Sequence, residues 1–236
     1  MAEWFKQWFG EEYLELYAHR DEAEAERAVK LLQKVLPWQI GWRVLDVGCG
    51  AGRHARALEA AGARCIGLDL SASLLQRARQ VTRAPLVRAD MRALPIRPRS
   101  MDLTVNLFTS FGYFEHDNEH VVALKEMAST VRKDGWFVLD FLHAATVRST
   151  LAPGPRPIGP GSTGERRLSR DGRFVCKIVK LADGKRLEER VRLFAPGELE
   201  LLLREAGVRV VHQFGDYDGG PLQPGAPRTI LIGRVT

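Results

Sequence analysis

Along the first two-thirds of the chain, segments with two different patterns of apolar and polar positions alternate. Short, nearly continuous apolar runs indicate strands buried on both faces, and the segments between them repeat apolar residues every three or four positions, as an amphipathic helix does. The apolar runs predict strands at residues 43–47, 64–68, 86–88, 101–107 and 135–141. The helical spacing predicts helices at residues 21–36, 53–61, 71–81 and 119–131. This alternation predicts a parallel sheet covered by helices on both faces.

The alternation stops at residues 152–164, where proline and glycine are dense enough to predict a loop or linker. Asp-Gly turn signals follow at 171–172 and 183–184, which are typical of hairpins. They separate three predicted antiparallel strands at residues 166–169, 174–181 and 186–194. A predicted helix at 196–206 and strands at 208–214 and 229–235 end the pattern. Only a loop joins the last two strands, so we expect them to run antiparallel.

The most informative stretch lies at the end of the first predicted strand, where glycines stand at every second position. Asp46 is followed by Gly48, Gly50 and Gly52, which predicts a tight turn whose backbone can touch a ligand. Asp69 ends the next strand, and a carboxylate there can accept hydrogen bonds from both hydroxyls of a ribose. These positions meet at the carboxyl edge of an open α/β sheet, so the sequence predicts a nucleoside-binding site.

The spacing of the glycines indicates which nucleoside binds. A nicotinamide-binding turn of the form G-x-G-x-x-G would need its third glycine at position 53, which is Arg53. Asp46 would also repel a pyrophosphate, whereas S-adenosylmethionine has no phosphate and carries a sulfonium and an ammonium group. The pattern D-x-G-x-G-x-G, joined to Asp69, resembles the glycine motif of the class I S-adenosylmethionine-dependent methyltransferases.

This resemblance covers nearly the whole chain and implies a fold. The fold is α/β, a Rossmann-like seven-stranded and mostly parallel sheet with an antiparallel final strand, plus a small antiparallel lid insertion as in small-molecule members of the superfamily. It implies an N-terminal cap segment and helix at residues 1–37 and a cofactor-binding core at 38–150. A linker and lid at 151–194 would follow, and a helix and hairpin at 195–236 would complete the core.

The resemblance also implies where the cofactor, S-adenosylmethionine, is held. Asp90 would accept the exocyclic amine of the adenine and Met91 would pack on its ring, with an ordinary turn acid as the alternative for Asp90. In the leader, Tyr17 would cap the site and Arg20 would pair with the methionine carboxylate. The alternative is that the tyrosine packs on the sheet edge and Arg20 caps a helix. The expected cofactor-binding residues are Tyr17, Arg20, Asp46, Gly48, Cys49, Gly50, Asp69, Leu70, Asp90, Met91, Asn106 and Leu107.

The segment after the fourth strand bears on the methyl acceptor. Residues 106–114 read N-L-F-T-S-F-G-Y-F and lack the Asn/Asp-Pro-Pro-Tyr motif of relatives that methylate nitrogens of nucleic acids and proteins. The observed form resembles small-molecule methyltransferases. For Phe108 and Phe114, packing in the core is the alternative.

Methyl transfer from a sulfonium is an in-line displacement, so the protein mainly aligns the groups and excludes water. Where the acceptor must lose a proton, His143 and His116 are the candidate catalytic bases by position, and solvated loop histidines are the alternative. Asp140, Arg228 and the loop at residues 216–221 are expected near the acceptor. The sequence has no metal-ligand spacing, so no metal is expected.

Composition narrows the class of protein. The 236 residues include three widely spaced cysteines without a CxxC pair, which predicts neither a disulfide framework nor a zinc site. No apolar run is long enough to span a bilayer, and the N-terminus lacks the layout of a secretory signal. We therefore expect a cytoplasmic protein without membrane contact.

The formal net charge of +6 has two interpretations. One is a nucleic-acid partner, and the other, favoured because the basic residues are scattered, is an arginine-rich genome or a heat-adapted source. The favoured function is a methyltransferase for a small molecule, with O- or N-methylation. The alternatives are an RNA or DNA methyltransferase, which the basic residues 166–173 would support, and a binding protein that senses S-adenosylmethionine without turnover. The sequence leaves the oligomeric state open.

Overall fold

The structure is a computed structural model that describes residues 4–10, 22–159 and 161–236. Within these residues the helices are α1 (Phe5–Trp8), α2 (Glu22–Val35), α3 (Arg53–Ala60), α4 (Ala72–Ala78), α5 (Asp117–Thr130), α6 (Ala144–Thr150) and α7 (Pro196–Glu205). The strands are β1 (Arg43–Val47), β2 (Arg64–Asp69), β3 (Leu86–Arg88), β4 (Met101–Asn106), β5 (Val131–Leu142), β6 (Arg156–Gly159), β7 (Ser162–Leu168), β8 (Phe174–Lys180), β9 (Arg186–Arg192), β10 (Val208–Phe214) and β11 (Arg228–Val235).

Seven strands form the main sheet, in the order β10-β11-β5-β4-β1-β2-β3. β1 pairs in parallel with β2 and β4, β2 with β3, and β4 with β5, whereas β11 lies antiparallel between β5 and β10. The predicted α/β class and the antiparallel final strand are confirmed. The strand order reverses at β1, where the chain leaves β3 at one edge and returns on the other side as β4. A crevice for a ligand therefore opens at the carboxyl end of β1.

Apolar side chains cover both faces of the main sheet, as the continuous apolar runs predict. Val44 packs with the buried face of α2, where Ala28 and Leu32 lie, and neighbouring Leu45 packs on the opposite side with α5 and α7. Burial on both faces fixes each strand in register, because a slip by one residue would exchange its two faces. The carboxyl ends of the strands are thereby held in place.

The lid is a separate antiparallel sheet in the order β6-β7-β8-β9, with one strand more than predicted. The additional strand β6 lies in the proline-rich stretch for which the sequence predicts a loop. Pro157 is tolerated there because an edge strand does not need every N–H for pairing. β7 begins at Ser162 rather than 166, β5 begins at Val131 rather than 135, and α6 lies where no helix is predicted.

The N-terminal segment at residues 4–10 places aromatic side chains against the loop that follows β4. The ring of Trp4 packs edge-on against Tyr113 at 5.3 Å between centroids, and Phe5 packs edge-on against Phe114 at 5.8 Å. The hydroxyl of Ser71, which precedes α4, donates to the carbonyl oxygen of Phe9 at 2.6 Å. The segment therefore lies over the carboxyl edge of the sheet. Tyr17 and Arg20 lie outside the described residues, so their roles stay predictions.

The described helices include none that is both long enough and apolar enough to cross a membrane.

Candidate functional site

The turn after β1 is built from glycines that take left-handed backbone angles. The φ angles of Gly48, Gly50 and Gly52 are 74°, 54° and 86°, a region that other residues enter only with strain. The N–H groups of Gly48 and Cys49 both donate to the carbonyl of Leu68, at 2.7 and 3.0 Å. A Cβ on Gly48 would stand 2.5 Å from the Cβ of Ser110. The turn thus passes tightly beside β2 and leaves its backbone exposed to a ligand.

The carboxylate of Asp69 is held by two backbone N–H groups at the end of β2. Gly50 donates to Oδ2 and Ser71 donates to Oδ1, each at 2.8 Å. Burial raises the pKa of Asp69, while the N–H groups of Ser71, Gly50 and Leu70 act in the opposite direction. Two lone pairs remain on oxygens whose orientation is already set, and the residue lines the cavity described below. This arrangement fits a pair of ribose hydroxyls.

Asp46 lies behind the glycine turn, not on its ligand side. Its side chain is 1% exposed, and in the described part of the chain Oδ2 has no hydrogen-bond partner. Its pKa is raised to about 7, mainly by burial and also by nearby Asp69, while Arg53 and the backbone N–H of Ala55 act in the opposite direction. Burial also raises the pKa of the Cys49 thiol, which keeps this thiol protonated. Direct contact of Asp46 with the cofactor stays a prediction.

Asp90 and Met91 line the same cavity, but Asp90 already has a strong partner. Arg92 donates to its carboxylate from Nε at 3.0 Å and from Nη2 at 2.6 Å. Arg92 also pairs with Glu119 at 2.6 Å, so it ties this turn to α5. The sequence analysis missed Arg92, although its position two residues after Asp90 could have suggested a local ion pair. Recognition of adenine by Asp90 and Met91 stays a prediction.

The loop after β4 bends through two consecutive non-glycine residues with left-handed angles. The φ angles of Phe108 and Thr109 are 56° and 62°, a costly conformation that the surroundings must hold. Asn106 is fully buried and donates to the carbonyl of Val47 at 2.9 Å, and Leu107 is also buried. The cavity is lined by Phe108, Thr109 and Ser110 and not by those two residues. The bend therefore brings Phe108, Thr109 and Ser110 to the cavity, while cofactor contacts of Asn106 and Leu107 stay predictions.

Asp140, on β5, holds this bend in place. Its Oδ2 accepts the N–H of Phe108 at 2.7 Å, and its carbonyl oxygen accepts the N–H of Thr109 at 3.0 Å. Its Oδ1 accepts Nε of Arg228 at 2.7 Å, while the hydroxyl of Tyr217 donates to Oδ2. Burial and the neighbouring Asp140 raise the pKa of Tyr217, so the phenol keeps its proton. Three groups that are distant in sequence thus meet on one buried carboxylate.

Arg228 connects the Asp140 network to the wall of the cavity. Its Nη2 donates to Oγ1 of Thr109 at 3.1 Å, and its guanidinium lies 5.1 Å from the centroid of the Phe108 ring. Burial alone would lower its pKa, but the adjacent Asp140 carboxylate outweighs this and raises it. Arg228 is therefore a fixed cation at the wall of the cavity, and its place near the acceptor stays a prediction.

One cavity of about 1400 Å³ joins these elements. One part is lined by the glycine turn, Asp69, Asp90 and Met91. The other part is lined by α6, by the residues before β11 and by one face of the lid, from which Val175 and Val191 contribute. The cavity therefore has room for a nucleoside and for a second molecule beside it.

Comparison with known proteins agrees with this geometry. Residues 44–135 match the model of a methyltransferase domain. Over 97% of its length the chain superimposes on 98% of the CcbJ methyltransferase of Streptomyces caelestis, with a TM-score of 0.80 and 18% sequence identity, which shows the shared fold. The protein contains a methyltransferase domain and has the class I S-adenosylmethionine-dependent methyltransferase fold.

Two relatives resemble this chain along most of its sequence. An uncharacterized protein of Methanocaldococcus jannaschii is 28% identical over 203 residues, which are 86% of this chain and 74% of the relative. The dTDP-3-amino-3,6-dideoxy-alpha-D-glucopyranose N,N-dimethyltransferase of Streptomyces fradiae is 29% identical over 200 residues, 78% of this chain and 76% of the relative. Both alignments extend well beyond the cofactor-binding core.

The two histidines predicted as bases lie at helix starts. Nδ1 of His143 accepts the N–H of Thr146 at 3.3 Å, so the ring caps α6. His116 precedes α5 and is exposed. Neither lines the cavity, whereas His54, which the sequence analysis did not select, does. The signal available in the sequence was that His54 directly follows Arg53 and the glycine turn. A catalytic role for His143 or His116 stays a prediction.

Proposed function

We propose that this methyltransferase transfers a methyl group to a nitrogen or oxygen of a small molecule bound between the core and the lid. The observation that carries the proposal is the single cavity that joins the glycine turn and Asp69 to one face of the lid. A substrate enclosed in this way is a small molecule and not a duplex. The N,N-dimethyltransferase relative from Streptomyces fradiae, whose named substrate is an amino sugar nucleotide, supports the same class.

The residues at the turn fit S-adenosylmethionine. Gly48 leaves no room for a Cβ beside Ser110, and Asp69 presents oxygens that two N–H groups have already oriented. When bound, S-adenosylmethionine supplies a methyl group already activated on a sulfonium. The glycine turn and Asp69 would bind and orient the nucleoside, and Met91 would pack on the adenine.

The protein's contribution to the reaction is alignment and exclusion of water. The Phe108–Thr109 bend and Tyr113 form one wall of the cavity, and the lid covers the acceptor side with Val175 and Val191. The hydroxyl of Tyr113 donates to the carbonyl of Thr109 at 2.6 Å, which stiffens that wall. The cytoplasmic location predicted from the sequence is part of this proposal.

Asp69→Ala should weaken binding of S-adenosylmethionine more than tenfold, at least about 1.4 kcal/mol, because a buried carboxylate that accepts two ribose hydroxyls would be lost. Titration calorimetry with S-adenosylmethionine and S-adenosylhomocysteine measures the change. Asp183→Ala, in an exposed turn of the lid, is the control and should bind as the unmodified protein does. Equal affinity of the two variants would remove Asp69 from the site.

The acceptor class can be tested by transfer of labelled methyl groups to metabolite, RNA and protein fractions, with and without nuclease. Labelling of the metabolite fraction that survives nuclease supports the proposal. Label that disappears with nuclease would identify a nucleic-acid substrate, and a protein that binds the cofactor without any transfer would be a sensor.

A further inference from the structure

The last strand of the lid, β9, has two faces that make different contacts. Glu189 and Val191 line the cavity. Side chains on a strand alternate between the two faces of its sheet, so Arg190 and Arg192 project from the opposite face. Both arginines bind acidic side chains at or just before the start of α5, and Arg192 also binds one in α7. The strand that forms part of the cavity wall is therefore also a strand that attaches the lid to the core.

Arg192 makes a largely buried attachment. Its side chain is 8% exposed, and each of its three guanidinium nitrogens donates a hydrogen bond. Nε donates to Oδ1 of Asp117 and Nη2 to Oε1 of Glu198, each at 3.2 Å, and Nη1 donates to the carbonyl of Leu193 at 2.7 Å. The backbone N–H of Arg192 donates to the carbonyl of Gly112 at 2.8 Å. One residue of the lid thus joins α5, α7 and the loop after β4.

Two further arginines of the lid contact the same segment of the core. Arg173 donates from Nη2 to Oδ2 of Asp117 at 2.5 Å, and Arg190 donates from Nη1 to the two oxygens of Glu115 at 3.1 and 2.9 Å. The side chains of Arg173, Asp117 and Glu115 are nearly half exposed, so water weakens these outer ion pairs. The buried Arg192 is therefore expected to contribute most to the attachment of the lid.

The attachment fixes part of the cavity wall, because Val191 lies next to Arg192 in the chain. Val191 is buried, lines the cavity and pairs directly opposite Val175, which lines it as well. A Cβ on Gly112 would stand 3.2 Å from Cγ1 of Val191, so β9 lies close against the loop after β4. Tyr113, the next residue of this loop, also lines the cavity. A shift of β9 would therefore move two lid residues of the wall relative to Tyr113.

We propose that Arg192 is a positioning residue for the methyl acceptor: it holds β9 against α5 and α7, so that Val175 and Val191 contact the acceptor in one place relative to the cofactor. This inference rests on the proposed function and adds a residue on which acceptor binding depends. Asp69 and the glycine turn lie at the ends of β2 and β1, whereas the ion pairs of Arg192 join the lid to α5 and α7. Arg192 therefore acts on the acceptor and leaves donor binding unaffected.

The test compares acceptor turnover with donor binding in Arg192→Gln. For the acceptor that the labelling screen yields, kcat/KM should fall by about tenfold to a hundredfold, because a small displacement of a bound substrate costs this much in rate. The Kd for S-adenosylhomocysteine, measured by calorimetry, should change by less than about twofold. Arg192→Lys keeps the charge but cannot reach all three oxygens at once, so its kcat/KM should be intermediate. It provides the same comparison if Arg192→Gln does not fold.

Hydrogen exchange gives a second measurement, which needs no acceptor. The backbone amides of residues 190–192 should exchange roughly tenfold faster in Arg192→Gln, while those of β1 and β2 keep their rates.

Arg186→Gln is the matched control, because Arg186 lies on the same strand and pairs with Glu188 inside β9 at 3.3 Å. This variant should keep the kinetic constants and exchange rates of the unmodified protein. Equal kcat/KM in Arg192→Gln and Arg186→Gln would overturn the inference while the methyltransferase proposal stands. A parallel loss of S-adenosylhomocysteine binding in Arg192→Gln would also overturn it, since Arg192 would then support the whole fold. Failure of the unmodified protein to bind S-adenosylhomocysteine would instead overturn the proposed function.

Discussion

Asp140→Ala should lower the free energy of unfolding by about 3–5 kcal/mol, because it leaves the Arg228 guanidinium at a largely buried position without its counter-charge. The N–H of Phe108 would lose its acceptor as well, and the left-handed Phe108–Thr109 bend would lose the group that holds it. We therefore also expect kcat/KM to fall more than tenfold, measured at a temperature where the variant remains folded. Denaturant unfolding and initial rates provide the two measurements.

Two further variants separate stability from positioning. Asp140→Ala combined with Arg228→Leu should regain part of the lost stability, since the unpaired cation is gone, but not the lost activity. Asp102→Ala removes an aspartate at the start of β4, far from the cavity, where it accepts Nε of Arg132 at 2.8 Å. This control should lose some stability and keep its kinetic constants. Unchanged kcat/KM in Asp140→Ala would show that the bend needs no support from β5.

Acidification from about pH 6.5 to pH 4 should cost the fold about 3 kcal/mol through a single residue, His120. The ring is fully buried in α5, with Phe111, Phe114 and Phe194 each at 5.1 Å between ring centroids. Its pKa is lowered from 6.5 to about 4, mainly by burial and also by Arg192, while Asp117, the Gly112 carbonyl and Glu119 act in the opposite direction. The folded protein therefore binds this proton at a lower pH than the unfolded chain does.

The sign of the effect follows from this order. Above about pH 6.5 both states are neutral at His120 and stability does not depend on this residue. Between pH 6.5 and 4 only the unfolded chain takes up the proton, so the free energy of unfolding falls as the pH falls. Below about pH 4 both states are protonated and the loss is complete.

Unfolding curves at a series of pH values, for the unmodified protein and for His120→Leu and His120→Gln, isolate this contribution. Both variants remove the titrating group, so both should lose the acid-dependent part whatever their stability at neutral pH. The ring resonances of His120 in an NMR titration should move near pH 4. Parallel stability profiles of all three proteins would assign the acid sensitivity to other groups.

The parallel core could be predicted because burial on both faces forces β1, β2, β4 and β5 to read as apolar runs. The glycine turn and Asp69 could be predicted for a related reason, since a tight turn against β2 admits only glycine at Gly48. β6 was missed because a proline in an edge strand reads as a loop in the sequence. Prediction of the parallel core and of the glycine turn needs no knowledge of contacts between distant parts of the chain.

The Asp140 network could not be predicted in the same way. Phe108, Asp140, Tyr217 and Arg228 come from four separate segments, and only the pairing of β11 beside β5, with Arg228 opposite Leu142, brings them together. Local patterns thus predict the glycine turn, whereas the network around Asp140 depends on tertiary pairing.

The position of β11 also bears on the order in which a growing polypeptide acquires its parts. Until residues 228–235 leave the ribosome, β10 has no neighbour to pair with and one edge of β5 is open, although every strand around the glycine turn has already been made. A nascent chain halted before that point would contain the glycine turn and Asp69 but would lack Arg228 at the cavity wall. The strands around the glycine turn are therefore synthesised before the strand that brings Arg228 to Asp140.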